Sequence, residues 1–221
     1  MTMAAVKLEL GLREYGEVWE LQHRLVELRR HDAIPDTLVL VEHPHVITLG
    51  RRGRREDVLT DDLPVFAVER GGEATYHGPG QLVAYPILKL RDRLDVRRLV
   101  TDLEEVLVRA SRDFGLEATR NPEQRGVWVG PRKLASIGLA VHENVTYHGL
   151  ALNVNTDLSY FLKLRPCGGS GEWMTSMARE LGRSLGMAAV RSRVASHFSE
   201  VFGLELRARE PEELLAAAAA H

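Results

Sequence analysis

The sequence predicts a mixed α/β (α+β) fold: a single domain, residues 1–221, with a mixed β-sheet flanked by helices. Three observations carry this reading. Apolar runs of strand length recur between polar, glycine and proline positions; two longer segments place their apolar residues three and four apart; and no repeat, low-complexity linker or composition break divides the chain. A chain of 221 residues, 44% of them hydrophobic, can bury one sizeable core without splitting.

Taken in order, Tyr15, Val18, Leu21, Leu25 and Leu28 form the apolar stripe of a helix that ends near Arg30, before Pro35 breaks the run. Residues 38–41, 46–49 and 65–68 read as buried strands between polar or proline-containing turns, and 81–85 as a strand after a glycine-rich loop. Val96, Leu99, Val100, Leu103, Val106, Leu107 and Ala110 mark the clearest helix, stopped near Gly115. Residues 127–129, 133–141, 145–148 and 150–154 then form a strand-rich stretch with turn signals at Gly130-Pro131 and Glu143-Asn144, spacing that favours antiparallel pairing. Residues 175–185 and 190–202 predict helices, and 212–220 an alanine-rich terminal helix or frayed tail.

Composition narrows the function. A net charge of -2 gives no general pull toward nucleic acid or anionic membrane, although Arg51, Arg52, Arg54 and Arg55 make a local basic knot that suits an acidic partner or a solvated loop. The longest apolar stretches, 37–41 and 149–154, are too short to span a bilayer, and residues 1–7 lack the charged-then-apolar order of a signal peptide. A cytoplasmic protein is expected. The one cysteine, Cys167, rules out an internal disulfide and a cysteine-rich metal site, so it is either structural or reactive.

Four segments carry chemistry. In Arg70-Gly71-Gly72-Glu73-Ala74-Thr75-Tyr76-His77-Gly78-Pro79-Gly80-Gln81, four glycines permit close ligand approach while Arg70, Thr75, Tyr76 and His77 crowd the loop with donors. It reads as a pocket wall, with an elaborate turn as the plainer alternative; neither nucleotide-loop pattern occurs in it. In 130–138, Lys133 lies on a strand among apolar residues, before Ser136, Ile137 and Gly138, and either enters a pocket or is exposed. In 147–155, the small residues Gly149 and Ala151 flank Leu150 and leave room for a slender apolar chain or for close helix packing. In 165–171, Cys167 sits among Pro166, Gly168, Gly169 and Gly171, a loop with accessible backbone amides suited to an oxyanion hole. His77 and His148 are rival bases for a cysteine-histidine pair, but read better as pocket and hydrogen-bonding residues; His43 and His45 read as loop residues, without the partners a zinc site needs.

Together and in this order, RGGEATYHGPGQLVAYP, RKLASIG, YHGLALNV and PCGGSGEWMTS resemble the lipoyl(octanoyl) transferases of lipoate biosynthesis, from about Arg51 to Met177. The resemblance implies the mixed-sheet fold of biotin and lipoate protein ligase catalytic domains, a catalytic cysteine at Cys167 and a catalytic lysine at Lys133. It also places the acyl chain against Arg70, Gly71, Gly72, Glu73, Ala74, Thr75, Tyr76 and His77, against Ser136, Ile137 and Gly138, and against Gly149, Leu150 and Ala151. One position departs from the family: Glu73 stands where glutamine is usual, a variation taken as tolerated because the loop's glycines and aromatics are intact.

The implied reaction moves octanoyl from octanoyl-acyl carrier protein to a lysine of a lipoyl domain through a Cys167 thioester. The implied acceptors are the lipoyl domains of 2-oxoacid dehydrogenase E2 subunits and the glycine cleavage H protein. A free thiol of pKa about 8.5 is mostly protonated at neutral pH, so Lys133 is expected to stabilise the thiolate, protonate the departing sulfur and later deprotonate the acceptor amine. A thioester is already activated, so no ATP, metal or bound cofactor is expected. The alternatives are an ATP-dependent lipoate or octanoate ligase of the same fold, a non-catalytic lipoyl-domain or acyl-carrier binding module, and a cysteine hydrolase.

Overall fold

The computed structural model describes residues 3–90, 95–166 and 171–219. Eight strands form a mixed sheet in the order β11-β1-β2-β6-β10-β9-β8-β7, and three more form a small sheet ordered β4-β3-β5. The large sheet uses β1 (Met3–Leu12), β2 (Thr37–Glu42), β6 (Gln81–Ile87), β7 (Thr119–Arg120), β8 (Val127–Val129), β9 (Arg132–His142), β10 (Val145–Asn153) and β11 (Leu204–Ala208). The small sheet uses β3 (Val46–Leu49), β4 (Val65–Ala67) and β5 (Ala74–His77). β1 runs parallel to both β11 and β2, whereas β2, β6, β10, β9, β8 and β7 succeed one another antiparallel.

Strand alternation divides the apolar residues between two cores, because successive side chains point to opposite faces. Leu38 and Leu40 of β2, Leu82 and Ala84 of β6, and Leu150 and Leu152 of β10 face α2 (Asp95–Arg112) and α4 (Met187–Phe202), where Leu103, Leu107, Val190, Val194 and Phe198 complete one core. Val39, Val41, Val83, Tyr85, Tyr147 and Ala151 face α1 (Tyr15–Arg30) and α5 (Pro211–Ala219), with Val18, Leu25 and Leu214. This explains why the central strands read as unbroken apolar runs: both of their faces are covered. Burying each such side chain stabilises by about 1.5–3 kcal/mol before entropy is counted. Among the described residues no helix is long and apolar enough to cross a membrane.

The Glu143-Asn144 turn closes the β9-β10 hairpin with φ 43° and 67°, the pair of positive values that a tight two-residue hairpin loop demands. The structure differs from the sequence expectation at several elements. Residues 145–153 form one strand and not two, carried through a left-handed His148 (φ 55°). The glycine-rich loop contains β5; the helix expected over 175–185 reduces to α3 (Met177–Leu181), ended by a left-handed Gly182. β1 and β11 were not expected, although Val6, Leu8 and Leu10 alternate inward in β1.

Candidate functional site

A slot lies between the two sheets. Its floor is built from alternate positions on three adjacent strands: Ser136 and Gly138 of β9, Gly149 and Ala151 of β10, and Val83 and Tyr85 of β6. The roof is the 70–74 segment continued by Thr75 and His77 of β5. Roof and floor meet at Gly138, where a Cβ would fall 2.9 Å from the Gly71 carbonyl oxygen and 3.3 Å from Arg70 Cδ. Only glycine allows that approach, which the Gly71 N–H secures by donating to the Leu139 carbonyl at 2.8 Å. Arg70 fastens the roof to β3, its Nη2 donating to the Thr48 carbonyl at 2.8 Å, to Thr48 Oγ1 at 2.9 Å and to the Glu73 carbonyl at 2.8 Å.

Lys133 stands at one end of this slot, 8% exposed, which excludes the exposed-strand reading. Its Nζ lies 5.5 Å from the centroid of the Trp128 ring, a favourable place for a cation. Its stem rests on Gly126 (φ 121°), where a Cβ would sit 2.9 Å from Lys133 Cε. Two further ties fix this end of β9. Arg132 forks onto Glu180 at 2.7 and 2.8 Å, while the Thr175 hydroxyl donates to the same carboxylate at 2.5 Å and the Thr175 N–H donates to the Lys133 carbonyl at 2.9 Å. A narrower cleft continues from the slot at Thr75, Lys133 and Ser136, bounded by Gln124, Trp128, Pro166, Trp173 and Met174.

Cys167, with Gly168, lies outside the described residues. The residues on either side of 167–170 are bound to the slot's walls: Pro166 bridges Ala74 of β5, and Met174 bridges Lys133 of β9.

At the β6 end the slot is closed by a buried polar network whose proton positions follow from its acceptors. The Arg13 carbonyl can only accept, so His43 Nδ1–H donates to it at 2.8 Å, and His43 Nε2 accepts from the Tyr85 hydroxyl at 2.8 Å. Gln81 Nε2 donates to the Tyr76 carbonyl at 3.1 Å and to Asn153 Oδ1 at 2.9 Å; Gln81 Oε1 therefore accepts from His77 Nδ1–H at 2.7 Å. Burial pushes His77 down to about 3, with His43 beside it adding to the effect, and burial takes His43 down to about 4. Both rings are neutral at physiological pH, and His77 keeps Nε2 as a lone-pair acceptor. Burial likewise lowers His148 to about 4, against the pull of Glu69, which its Nε2 meets at 3.2 Å.

Of the residues expected against the acyl chain, Arg70, Gly71, Gly72, Glu73, Ala74, Thr75, His77, Ser136, Ile137, Gly138, Gly149, Leu150 and Ala151 line this one slot with Lys133. Tyr76 does not. Strand alternation turns it to the other face of β5, where it packs on Phe161 and shares its hydroxyl with His45 at 2.7 Å. His148 does not line the slot either; its ring meets Glu69 and Tyr147 beside it. Glu73 pairs with Arg52 at 3.4 Å through Oε1, while its buried Oε2 finds no hydrogen-bond partner among the described residues. Sequence reasoning missed Val83 and Tyr85, although the strand expected over 81–85 puts the two on one face; it also missed the Arg132–Glu180 fork, for which no local signal exists.

The chain, whose slender slot lies between a mixed eight-stranded sheet and a three-stranded flap, belongs to the family of lipoyl protein ligase A/B catalytic domains, whose model matches residues 14–199. Within it, the sequence is 45% identical to the octanoyltransferase of Syntrophobacter fumaroxidans, covering 97% of each chain. It is 48% identical to that of Rubrobacter xylanophilus, over 87% of this chain and 91% of the relative. Solved structures share the fold. Lipoate-protein ligase A bound with ATP superposes with a TM-score of 0.75 at 18% identity, over 100% of this chain and 94% of that one. The biotin protein ligase of Aquifex aeolicus gives 0.54 at 13% identity, over 91% and 69%.

Proposed function

We propose that the chain, acting as one catalytic domain over residues 1–221 in the cytoplasm, transfers octanoyl from octanoyl-acyl carrier protein to a lysine of lipoyl-domain proteins. The observation that carries the reading is Lys133, buried where the apolar slot ends and tied to the segment that follows Cys167. The names of the closely similar octanoyltransferases point to the same acyl group. A structural neighbour from Thermoplasma acidophilum, described with its E2 lipoyl domain, supports lipoyl domains as acceptors.

In the first half-reaction the Cys167 thiolate attacks the thioester carbon. The carbon–sulfur bond to the carrier's pantetheine breaks, and the departing sulfur takes the Lys133 proton. In the second, neutral Lys133 removes a proton from the acceptor's ammonium and the amine attacks the Cys167 thioester; the carbon–sulfur bond breaks, the Cys167 thiolate leaves, and the nitrogen sheds its remaining excess proton to solvent as the amide forms. The Trp128 ring packs beside Lys133 Nζ, and the roof excludes water from the thioester between the two steps.

Arg51, Arg52, Arg54 and Arg55 are exposed on a loop bonded to the roof: Arg51 N–H donates to the Arg70 carbonyl and Arg52 N–H to the Gly72 carbonyl, both at 3.0 Å. This surface suits the acidic carrier protein, because it sits over the slot that receives the carrier's acyl group.

Intact-mass spectrometry of the protein with octanoyl-acyl carrier protein, with and without a lipoyl domain, tests the reading. Wild type is expected to gain an octanoyl increment that passes to the lipoyl domain, and Cys167→Ser to form no labile adduct. Transfer that survives Cys167→Ser and requires ATP would establish the ligase instead.

A further inference from the structure

We infer that the width of three strands sets the length of acyl group this slot accepts, with Val83 and Tyr85 as its stop; the inference rests on the acyl-transfer reading above. Ala151 of β10 is in register with Ser136 of β9 on one side and with Val83 of β6 on the other. A chain that starts at β9, beside Lys133 and Ser136, and lies across the floor therefore crosses two interstrand steps of about 4.8 Å each before it meets Val83. An extended octanoyl group, seven carbon–carbon bonds of about 1.5 Å at tetrahedral angles, reaches about 9 Å, which matches those two steps. A decanoyl group reaches about 2.5 Å further on the same geometry.

The small residues lie where the chain must pass. Ala151 occupies the middle of the path, and Gly138 and Gly149 lie one level along the strands, in register with each other. The slot then ends. Val41, paired with Val83 on β2, is fully buried and does not line it. The closing wall is rigid, since the Tyr85 ring is held by its hydroxyl bond to His43 and His77 descends from the roof bonded to Gln81 of the same strand β6. A stop held by hydrogen bonds at both roof and floor gives a sharp cutoff, because relaxing it breaks buried bonds that have no replacement.

The ruler predicts opposite changes at its two marks. Val83→Ala removes two methyl groups from the stop and admits about two more methylenes, each worth about fourfold in binding when kept dry. Ala151→Leu blocks the path after the first strand step. The test measures acyl transfer to a lipoyl domain by intact mass, with butanoyl, hexanoyl, octanoyl, decanoyl and dodecanoyl acyl carrier proteins as separate donors and no ATP.

For wild type, the decanoyl rate is expected to fall roughly tenfold or more below the octanoyl rate, as overpacking a closed cavity requires. Val83→Ala is expected to bring decanoyl within about threefold of octanoyl. Ala151→Leu is expected to lose octanoyl transfer while keeping that of the shorter groups. The Val83→Ala gain cannot come from misfolding, and a thermal melt checks Ala151→Leu. An unchanged order of donors in both variants, or a wild type that prefers dodecanoyl, overturns the ruler alone. Wild type that transfers from no donor overturns the acyl-transfer reading and the ruler with it.

Discussion

Lowering the pH from 7 to 5.5 should destabilise this protein far more than surface titration accounts for, through three histidines. His43, His77 and His148 are buried, and their folded-state pKa values of about 4, 3 and 4 lie below the ordinary value of 6.5. Below 6.5 the unfolded chain binds protons that the folded chain refuses, so the unfolded state holds more protons and stability rises with pH. The stability is therefore fully present above about 6.5 and is lost as pH falls toward 4 and 3. One pH unit below the unfolded pKa, each histidine has cost about 1.4 kcal/mol, against about 0.2 kcal/mol at pH 7. Three of them together remove on the order of 3–4 kcal/mol, a large share of a typical net stability of about 5–15 kcal/mol. Urea unfolding followed by tryptophan fluorescence at pH 7.0, 6.5, 6.0 and 5.5, at constant ionic strength, measures this loss above the range where most carboxylates protonate. His43→Gln should start less stable at pH 7, because the Arg13 carbonyl loses its Nδ1–H donor, yet show a slope about a third shallower. A midpoint that does not move between pH 7 and 5.5, or a His43→Gln slope equal to wild type, refutes the linkage.

Other perturbations report on the slot. Gly138→Ala drives a Cβ toward the Gly71 carbonyl and should cost about 1–3 kcal/mol while slowing acylation, read from chemical denaturation and the rate of adduct formation. Glu180→Gln weakens the fork that sets Lys133 and the Thr175 segment; both half-reactions should slow by roughly tenfold to a hundredfold with little change in KM, and equal wild-type rates would show the fork to be structural only. Reversing the charges of Arg51, Arg52, Arg54 and Arg55 should slow transfer from acyl carrier protein more at low salt than at high salt, and equal slowing at both would remove this loop from docking.

The central fold was legible because its signals are local. Period-3.6 stripes placed α1 and α2, unbroken apolar runs placed the central strands, and the Glu143-Asn144 pair placed the hairpin that puts Gly149 beside Gly138. Strands β1 and β11 were not, because their pairing joins the two ends of the chain and no window of sequence contains both. The slot's walls were foreseen segment by segment, through glycines that admit close backbone approach. What could not be foreseen is which face each side chain takes inside a glycine-rich run: Tyr76 leaves the slot only because β5 pairs with β3 and sets the alternation. His43 is a loop residue as expected, between β2 and β3, but its buried hydrogen bonds were not foreseen because its partners, Arg13 and Tyr85, are 30 and 42 positions away.

The same non-local pairing makes the site a property of two sheets together. Lys133 belongs to the large sheet, while the roof and the residues leading to Cys167 belong to the flap, so neither sheet alone assembles the chemistry. Two short ties reach the large sheet, Gly71 onto Leu139 across the slot and Met174 with Thr175 onto Lys133 at its end, while Arg70 onto Thr48 fixes the roof within the flap. On the proposed acyl-transfer reading, weakening any one should loosen the roof over the Cys167 thioester, which would survive only while water is kept out. The characteristic defect would then be release of free octanoate in place of transfer, while the cysteine stays acylation-competent. That defect separates loss of shielding from loss of the nucleophile, and it is where a Gly138 variant and a Cys167 variant should part company.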